Sequence, residues 1–195
     1  MRVNEAIRDY LLASEKHSKR TQGWYEQKLR VFGEWCEQEV LPLENIRVAD
    51  IRRFIQHIHT TTNTQTQQPL STYTVRGYAQ VVKGFLNFCG KEDGLEEYVK
   101  PGLPKKIEMP HVDIKVIETF TPTQIKALFA ASEKEFNQTL TIRDKAIISV
   151  LLDTGIRASE LIGLKLDQVH LDTKDAYIKV YGKGRKEREV GLGMD

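Results

Sequence analysis

Hydrophobic residues recur every three to four positions through the first hundred residues, and this spacing predicts four amphipathic helices. The first covers Val3 to Glu15, and the second follows Thr21 and continues to about Val40. The third begins near Val48, and the fourth follows Ser71, a residue type favoured at helix N-caps. The Thr/Gln/Asn-rich stretch from Thr60 to Pro69 has no such period and is predicted to be a loop.

Residues 99–118 break the helical pattern and are predicted to be a linker. Pro101, Pro104 and Pro110 exclude a long helix there, and lysines make the first half basic. A short strand is expected around Val116 to Phe120, where the second unit begins.

Three shorter helices and a β-hairpin are predicted after the linker. Pro122 lies in the first turn of the first helix, a position that suits proline. The second covers residues 142–152 and is apolar almost all round, so it needs cover on several sides. The third covers 158–164, and residues 176–192 alternate around Gly182-Lys183-Gly184 as a hairpin does. The predicted fold class is mainly α with a small antiparallel β element.

The amino-acid composition limits the classes of protein to which this chain can belong. A chain that is 40% hydrophobic and 29% charged is ordinary for a soluble globular protein. No apolar run could span a membrane, and no signal core follows Met1, so we expect a cytoplasmic protein without a membrane partner. Cys36 and Cys89 lie in aromatic, helix-like contexts, which favours buried thiols over a disulfide or a metal site.

The net charge of +2 does not by itself indicate a nucleic-acid partner. Its distribution is more informative, since five basic residues and one acidic residue lie between Lys179 and Arg188. Such a local cluster can hold phosphates, although a solvated charged hairpin would have the same composition.

Two positions have side chains that could bind a phosphate or act on it. Arg157 follows the turn at Gly155 and lies at a helix start, where a cation is disfavoured unless an anion binds beside it. Glu160 can cap that helix or hold the guanidinium, and a plain surface Arg–Glu pair is the alternative. Lys183 lies between two glycines at the hairpin tip and could protonate a leaving oxygen, although tip lysines are commonly just exposed.

The segments Asp153-Thr154-Gly155-Ile156-Arg157-Ala158-Ser159-Glu160-Leu161 and Tyr181-Gly182-Lys183-Gly184-Arg185-Lys186-Glu187-Arg188, in this order and spacing, resemble the tyrosine recombinases, the phage-integrase and Xer-like family. The resemblance implies a SAM-like four-helix core-binding domain over 1–98. It implies the first half of a catalytic domain over 119–195.

The resemblance also implies roles for the two positions. Arg157 would be the first catalytic arginine, on the scissile phosphate, with Glu160 supporting it. Lys183 would be the general acid to the leaving 5′-oxygen. In the family a tyrosine forms a 3′-phosphotyrosyl link without metal or ATP, so no cofactor is expected.

Double-stranded DNA at a recombination site is the implied partner, together with other recombinase protomers. Cations and hydroxyls in the first unit and in the hairpin are the expected DNA contacts, with plain solvent exposure as the alternative for each. They are Lys19, Arg20, Thr21, Lys28, Thr74, Arg76, Lys83, Arg185, Lys186 and Arg188.

The chain departs from the family after the hairpin. The His-x-x-Arg box, a later His or Trp and the nucleophilic tyrosine would follow there, and neither Tyr177 nor Tyr181 matches the nucleophile. We therefore expect a bacterial or phage-encoded chain that binds DNA but cannot cleave it alone.

Three interpretations of the departure remain open. The chain is a piece of a longer recombinase, or it is a short non-catalytic regulator or remnant. A purely helical interaction module is a third alternative, but such a module has no need of the Arg157 and Lys183 pair.

The small second unit should expose apolar surface and self-associate or dock on another protein.

Overall fold

A computed structural model of the chain describes residues 1–63, 65–114, 116–171, 175–182 and 186–193. These residues form seven α-helices and a three-stranded antiparallel sheet, distributed over two compact units, 1–115 and 116–195. The predicted fold class, mainly α with a small antiparallel β element, is confirmed. No helix within the described ranges has the length and apolar character needed to cross a membrane.

The first unit contains the four predicted helices. Two of them are capped at their first turn by serine side chains: the hydroxyl of Ser18 accepts the N–H of Thr21, and that of Ser71 accepts the N–H of Thr74. The helices are α1 (Val3–Ala13), α2 (Lys19–Gln38), α3 (Val48–Thr60) and α4 (Thr72–Cys89).

Aromatic side chains fill the centre of this unit. The ring of Phe32 on α2 lies 4.9 Å from that of Phe54 on α3 and 6.3 Å from that of Phe85 on α4, and all three are fully buried. Cys36 and Cys89 are free thiols in the same core, as predicted. Burial raises the pKa of each thiol to about 12, so neither is a reactive thiolate.

The first part of the segment expected to be a linker packs onto this core. Val99, Leu103 and Ile107 are buried there, at a regular spacing of four residues. Proline and glycine stop a long helix, but they leave apolar side chains free to cover a hydrophobic face. The first unit therefore extends to residue 115, beyond the expected boundary at 98.

The second unit combines three helices with the sheet. The helices are α5 (Pro122–Ser132), α6 (Gln138–Thr154) and α7 (Ala158–Ile162). The sheet order is β1 (Val169–His170), β2 (Tyr177–Tyr181) and β3 (Glu187–Gly191), so the predicted hairpin is formed and gains a two-residue edge strand.

The strand expected around Val116 to Phe120 is absent from the described structure. The side chains of Val116 and Ile117 are exposed, and no described segment pairs with them. A strand needs a neighbour to bond its backbone, and β propensity alone does not supply one.

The core of the second unit is small. Ile156, Ile178 and Val180 are its buried members. On α6, Ile142 and Leu152 keep about half or more of their surface exposed. The exposed apolar surface expected for this unit is therefore present.

Candidate functional site

A left-handed turn presents Arg157. α6 ends at Thr154, and Gly155 follows with φ +60° and ψ 21°, a conformation that favours glycine. Ile156 is buried in the core of the second unit and anchors the turn. Arg157 comes next as the residue before α7, and its side chain remains 71% exposed.

Glu160 lies beneath Arg157 with only 3% of its side chain exposed. Its Oε2 accepts the backbone N–H of Arg157 at 2.8 Å, and its Oε1 accepts Nη1 of Arg157 at 3.0 Å. One carboxylate thus caps α7 and holds the guanidinium, which are the two contacts that the sequence suggested.

Arg188 on β3 completes the cluster. Its Nη1 and Nη2 donate to the two oxygens of Glu160 at 2.8 and 2.9 Å, the two-pronged geometry in which arginine binds carboxylates most strongly. These hydrogen bonds from Arg188, followed by the backbone N–H of Arg157, lower the pKa of Glu160 to about 2. Two guanidinium groups share one carboxylate, so the cluster keeps a surplus positive charge.

The end of the hairpin lies beside this cluster. The amide of Gly182 donates to the carbonyl of Lys186 at 2.8 Å, and a Cβ at Gly182 would lie 3.4 Å from Nη1 of Arg188. Lys186 is exposed. The predicted site residues Lys183 and Arg185 lie outside the described residues.

Asp153, part of the recognised motif but given no role from sequence, has a structural contact. Its carboxylate accepts the amide of Gly193 at 2.7 Å. The end of α6 is thereby joined to the segment after β3. No sequence signal identified this pair, because the two residues are 40 positions apart.

Four of the predicted DNA contacts lie at the starts of α2 and α4. Lys19 and Arg20 are exposed there. Thr21 and Thr74 are partly buried residues, and the hydroxyl of each lies 2.9 Å from the hydroxyl of the capping serine. These two threonines therefore take part in helix capping, and any contact with DNA would have to share their hydroxyls.

The remaining three cations of the first unit have partners within it. Nη1 of Arg76 donates to the carbonyl of Pro110 at 3.3 Å, and Nζ of Lys83 donates to that of Ile107 at 2.9 Å. Lys28 is 6% exposed, and its ammonium lies 4.3 Å from the centre of the Tyr78 ring. Burial lowers the pKa of Lys28. The prediction that Lys28 is an open phosphate contact is therefore not supported by its position, because aromatic rings cover the charge.

Acid should weaken the Arg157–Glu160–Arg188 cluster. A carboxyl with a depressed pKa contributes stability that is complete above its ordinary value of 4.5 and is lost as the pH falls through about 2. We expect the second unit to melt at a lower temperature at pH 2.5 than at pH 5, as followed by the methyl resonances of the buried Ile178. The Glu160→Gln variant should show a smaller difference between the two pH values. An equal difference in both proteins would contradict the assignment.

Two family models match the chain in succession. The model described as the phage integrase, N-terminal SAM-like domain matches residues 7–68, and the model of the phage integrase family matches residues 118–195. The first match lies within the unit 1–115, and the second covers nearly all of the unit 116–195.

Two curated proteins are similar to this chain over most of its length. The tyrosine recombinase XerC of Listeria innocua is 30% identical over 190 residues, which are 95% of this chain and 57% of that protein. The tyrosine recombinase XerD of Pseudomonas aeruginosa is 29% identical over 171 residues, 88% of this chain and 52% of that protein. The chain thus spans a little over half the length of these relatives.

Solved structures show the same fold. The XerH site-specific recombinase, bound to a palindromic difH substrate in a post-cleavage complex, matches 95% of this chain and 52% of its own with a TM-score of 0.70 at 18% identity. The Tn1549 transposon integrase, in complex with transposon right end DNA, matches 100% of this chain and 62% of its own with a TM-score of 0.69 at 15% identity.

Proposed function

Because this chain belongs to the phage integrase family, we propose that it binds double-stranded DNA and supplies the first part of the phosphate-binding site of a site-specific tyrosine recombinase. The observation that carries the proposal is the cluster of Arg157, Glu160 and Arg188. A buried carboxylate there holds an exposed arginine in place and leaves a surplus positive charge. The activity of a whole recombinase is part of this proposal, since the chain covers 57% and 52% of the two curated relatives.

The geometry of Arg157 suits a phosphodiester. Within the described residues its side chain uses Nη1 to reach Glu160, and most of its surface faces solvent. A guanidinium has five N–H donors, so several remain available for the non-bridging oxygens of a phosphate. A fixed donor of this kind stabilises the negative charge that develops during phosphoryl transfer.

The role of Lys183 is likewise a proposal. Lys183 directly follows Gly182 in the sequence, and Gly182 lies beside the cluster. We propose that the Lys183 ammonium gives a proton to a leaving 5′-oxygen. Cleavage also needs a nucleophile, and we propose that a polypeptide of residues 1–195 binds DNA without cleaving it. Covalent capture of a nicked duplex by this polypeptide would contradict that part of the proposal.

The alternative function is a DNA-binding regulator that occupies recombination sites without strand transfer. The exposed apolar side chains of α6, such as Ile142 and Leu152, support it, because they offer a surface for another recombinase protomer. Both functions require DNA binding.

Removing single exposed cations of the first unit tests the DNA-binding part. Arg20→Ala and Arg76→Ala should each weaken duplex binding and reduce the slope of log K against log salt by about 1, because each removes one phosphate contact. Fluorescence anisotropy with a labelled duplex measures both quantities. Lys134→Ala, which removes an exposed cation outside the proposed surface, is the matched control and should leave the slope unchanged. If all three variants behave like the parent chain, the first unit does not bind DNA through these residues.

A further inference from the structure

We propose that Arg188 acts as a positioning residue for Arg157 through Glu160, and not as a direct DNA contact. The inference rests on the proposed function, in which Arg157 binds a phosphate. It reassigns a hairpin cation that the sequence analysis placed among the expected DNA contacts.

The hydrogen bonds of Arg188 differ from those of Arg157. Arg188 commits both terminal nitrogens to Glu160, at 2.8 and 2.9 Å, whereas Arg157 commits one, at 3.0 Å. The shared carboxylate is 3% exposed. A phosphate would have to displace this two-pronged, charge-assisted contact to reach the same edge of Arg188, while Arg157 offers unused donors to solvent.

Arg188 also determines how strongly the Glu160 carboxylate attracts the guanidinium of Arg157. With Arg188 present, the carboxylate is neutralised mainly from the β3 side, and the Arg157 guanidinium is left to attract an anion. Without Arg188, the carboxylate of Glu160 would have Arg157 as its remaining side-chain partner in the cluster. Arg157 would then be drawn into a closer ion pair and bind phosphate less well.

The contact joins two parts of the second unit. Arg188 lies on β3 opposite Val180 of β2, a buried residue of the core. Glu160 lies on α7, 28 positions earlier in the chain. This contact joins the hairpin, whose sequence includes Lys183, to α7, which begins directly after Arg157.

The side-chain Nε–Hε resonance of Arg157 provides a test in the full 195-residue chain, with inorganic phosphate as the titrant. We expect Arg188→Met to weaken phosphate binding at Arg157 about tenfold, in line with the loss of a charge-assisted pair. Arg188→Lys should also lose most of the binding, because an ammonium cannot bridge both oxygens of Glu160. A direct phosphate contact would instead tolerate lysine.

A double-mutant cycle separates action through Glu160 from any other effect. In a Glu160→Gln background, Arg188→Met should cause no further change in phosphate affinity. Additive losses would overturn the proposal. Lys179→Met is the matched control, since Lys179 is another hairpin cation with carboxylate partners, Glu187 and Glu189, but no contact with Glu160.

A second measurement, the pKa of Glu160, changes only if Arg188 acts on this carboxylate. The pKa of Glu160, about 2 in the parent chain, should rise towards 4.5 in Arg188→Met, as followed by the NMR shift of its carboxyl carbon. An unchanged pKa would refute the inference. If Arg157 ignores phosphate even in the parent chain, the proposed function fails; if it responds equally with and without Arg188, this inference alone fails.

Discussion

Raising the salt concentration from 50 to 200 mM should weaken duplex binding by this chain at least about a thousandfold, because released counterions drive association with phosphates. With Lys28 covered by aromatic rings and Arg188 committed to Glu160, about eight proposed phosphate contacts remain, within the range for which this loss is typical. They are Lys19, Arg20, Arg76, Lys83, Arg157, Lys183, Arg185 and Lys186.

Fluorescence anisotropy of a labelled duplex over this range of salt measures the effect as a slope of log K against log salt. The net charge of the chain is only +2, but the slope should still be steep, because local clusters of cations hold the phosphates. A flat dependence would contradict the proposed phosphate contacts altogether.

Phe32→Ala should destabilise the first unit by about 3–5 kcal/mol, through lost apolar burial and the cavity left behind. Phe32 is fully buried between Phe54 and Phe85, so few atoms can move in to fill the space. A loss of this size is a large fraction of the roughly 5–15 kcal/mol that keeps a domain folded.

Urea unfolding followed by tryptophan fluorescence measures this loss for the first unit alone, because Trp24 and Trp35 are the two tryptophans of the chain and both lie there. Phe136→Ala is the matched control. Phe136 is fully exposed in the second unit, and its removal should leave the fluorescence transition within about 0.5 kcal/mol. Equal transitions for the two variants would show that Phe32 does not support the first unit.

The sequence predicted the helices well where periodicity and capping agree. The predicted cap of α4 by Ser71 is confirmed, and the buried aromatic residues follow the helical period. α2 begins earlier than expected, at Lys19, because Ser18 caps it. The turn at Gly155 and the N-terminal cap by Glu160 could also be predicted from the sequence, because both depend on residues within three positions of Arg157.

Long-range packing was harder to predict. The strand β1 has only two residues, too few for an alternating pattern, and the expected strand around Val116 has no described partner. The spacing of Val99, Leu103 and Ile107 was a signal for burial that the neighbouring prolines obscured. Nothing in the sequence identified the pairing of Arg188 with Glu160, because antiparallel strand register brings the two together across 28 positions.

The most direct test of the central claim, that Arg157 and Glu160 form a phosphate-binding site, is the arginine side-chain NMR spectrum of the chain with and without duplex DNA. We predict that the Nε–Hε resonance of Arg157 shifts and saturates with the affinity measured by anisotropy. Arg143, an exposed arginine of the same unit paired with Asp144, is the internal control and should not move. An Arg157 resonance that stays in place while the chain is saturated with DNA would contradict the account.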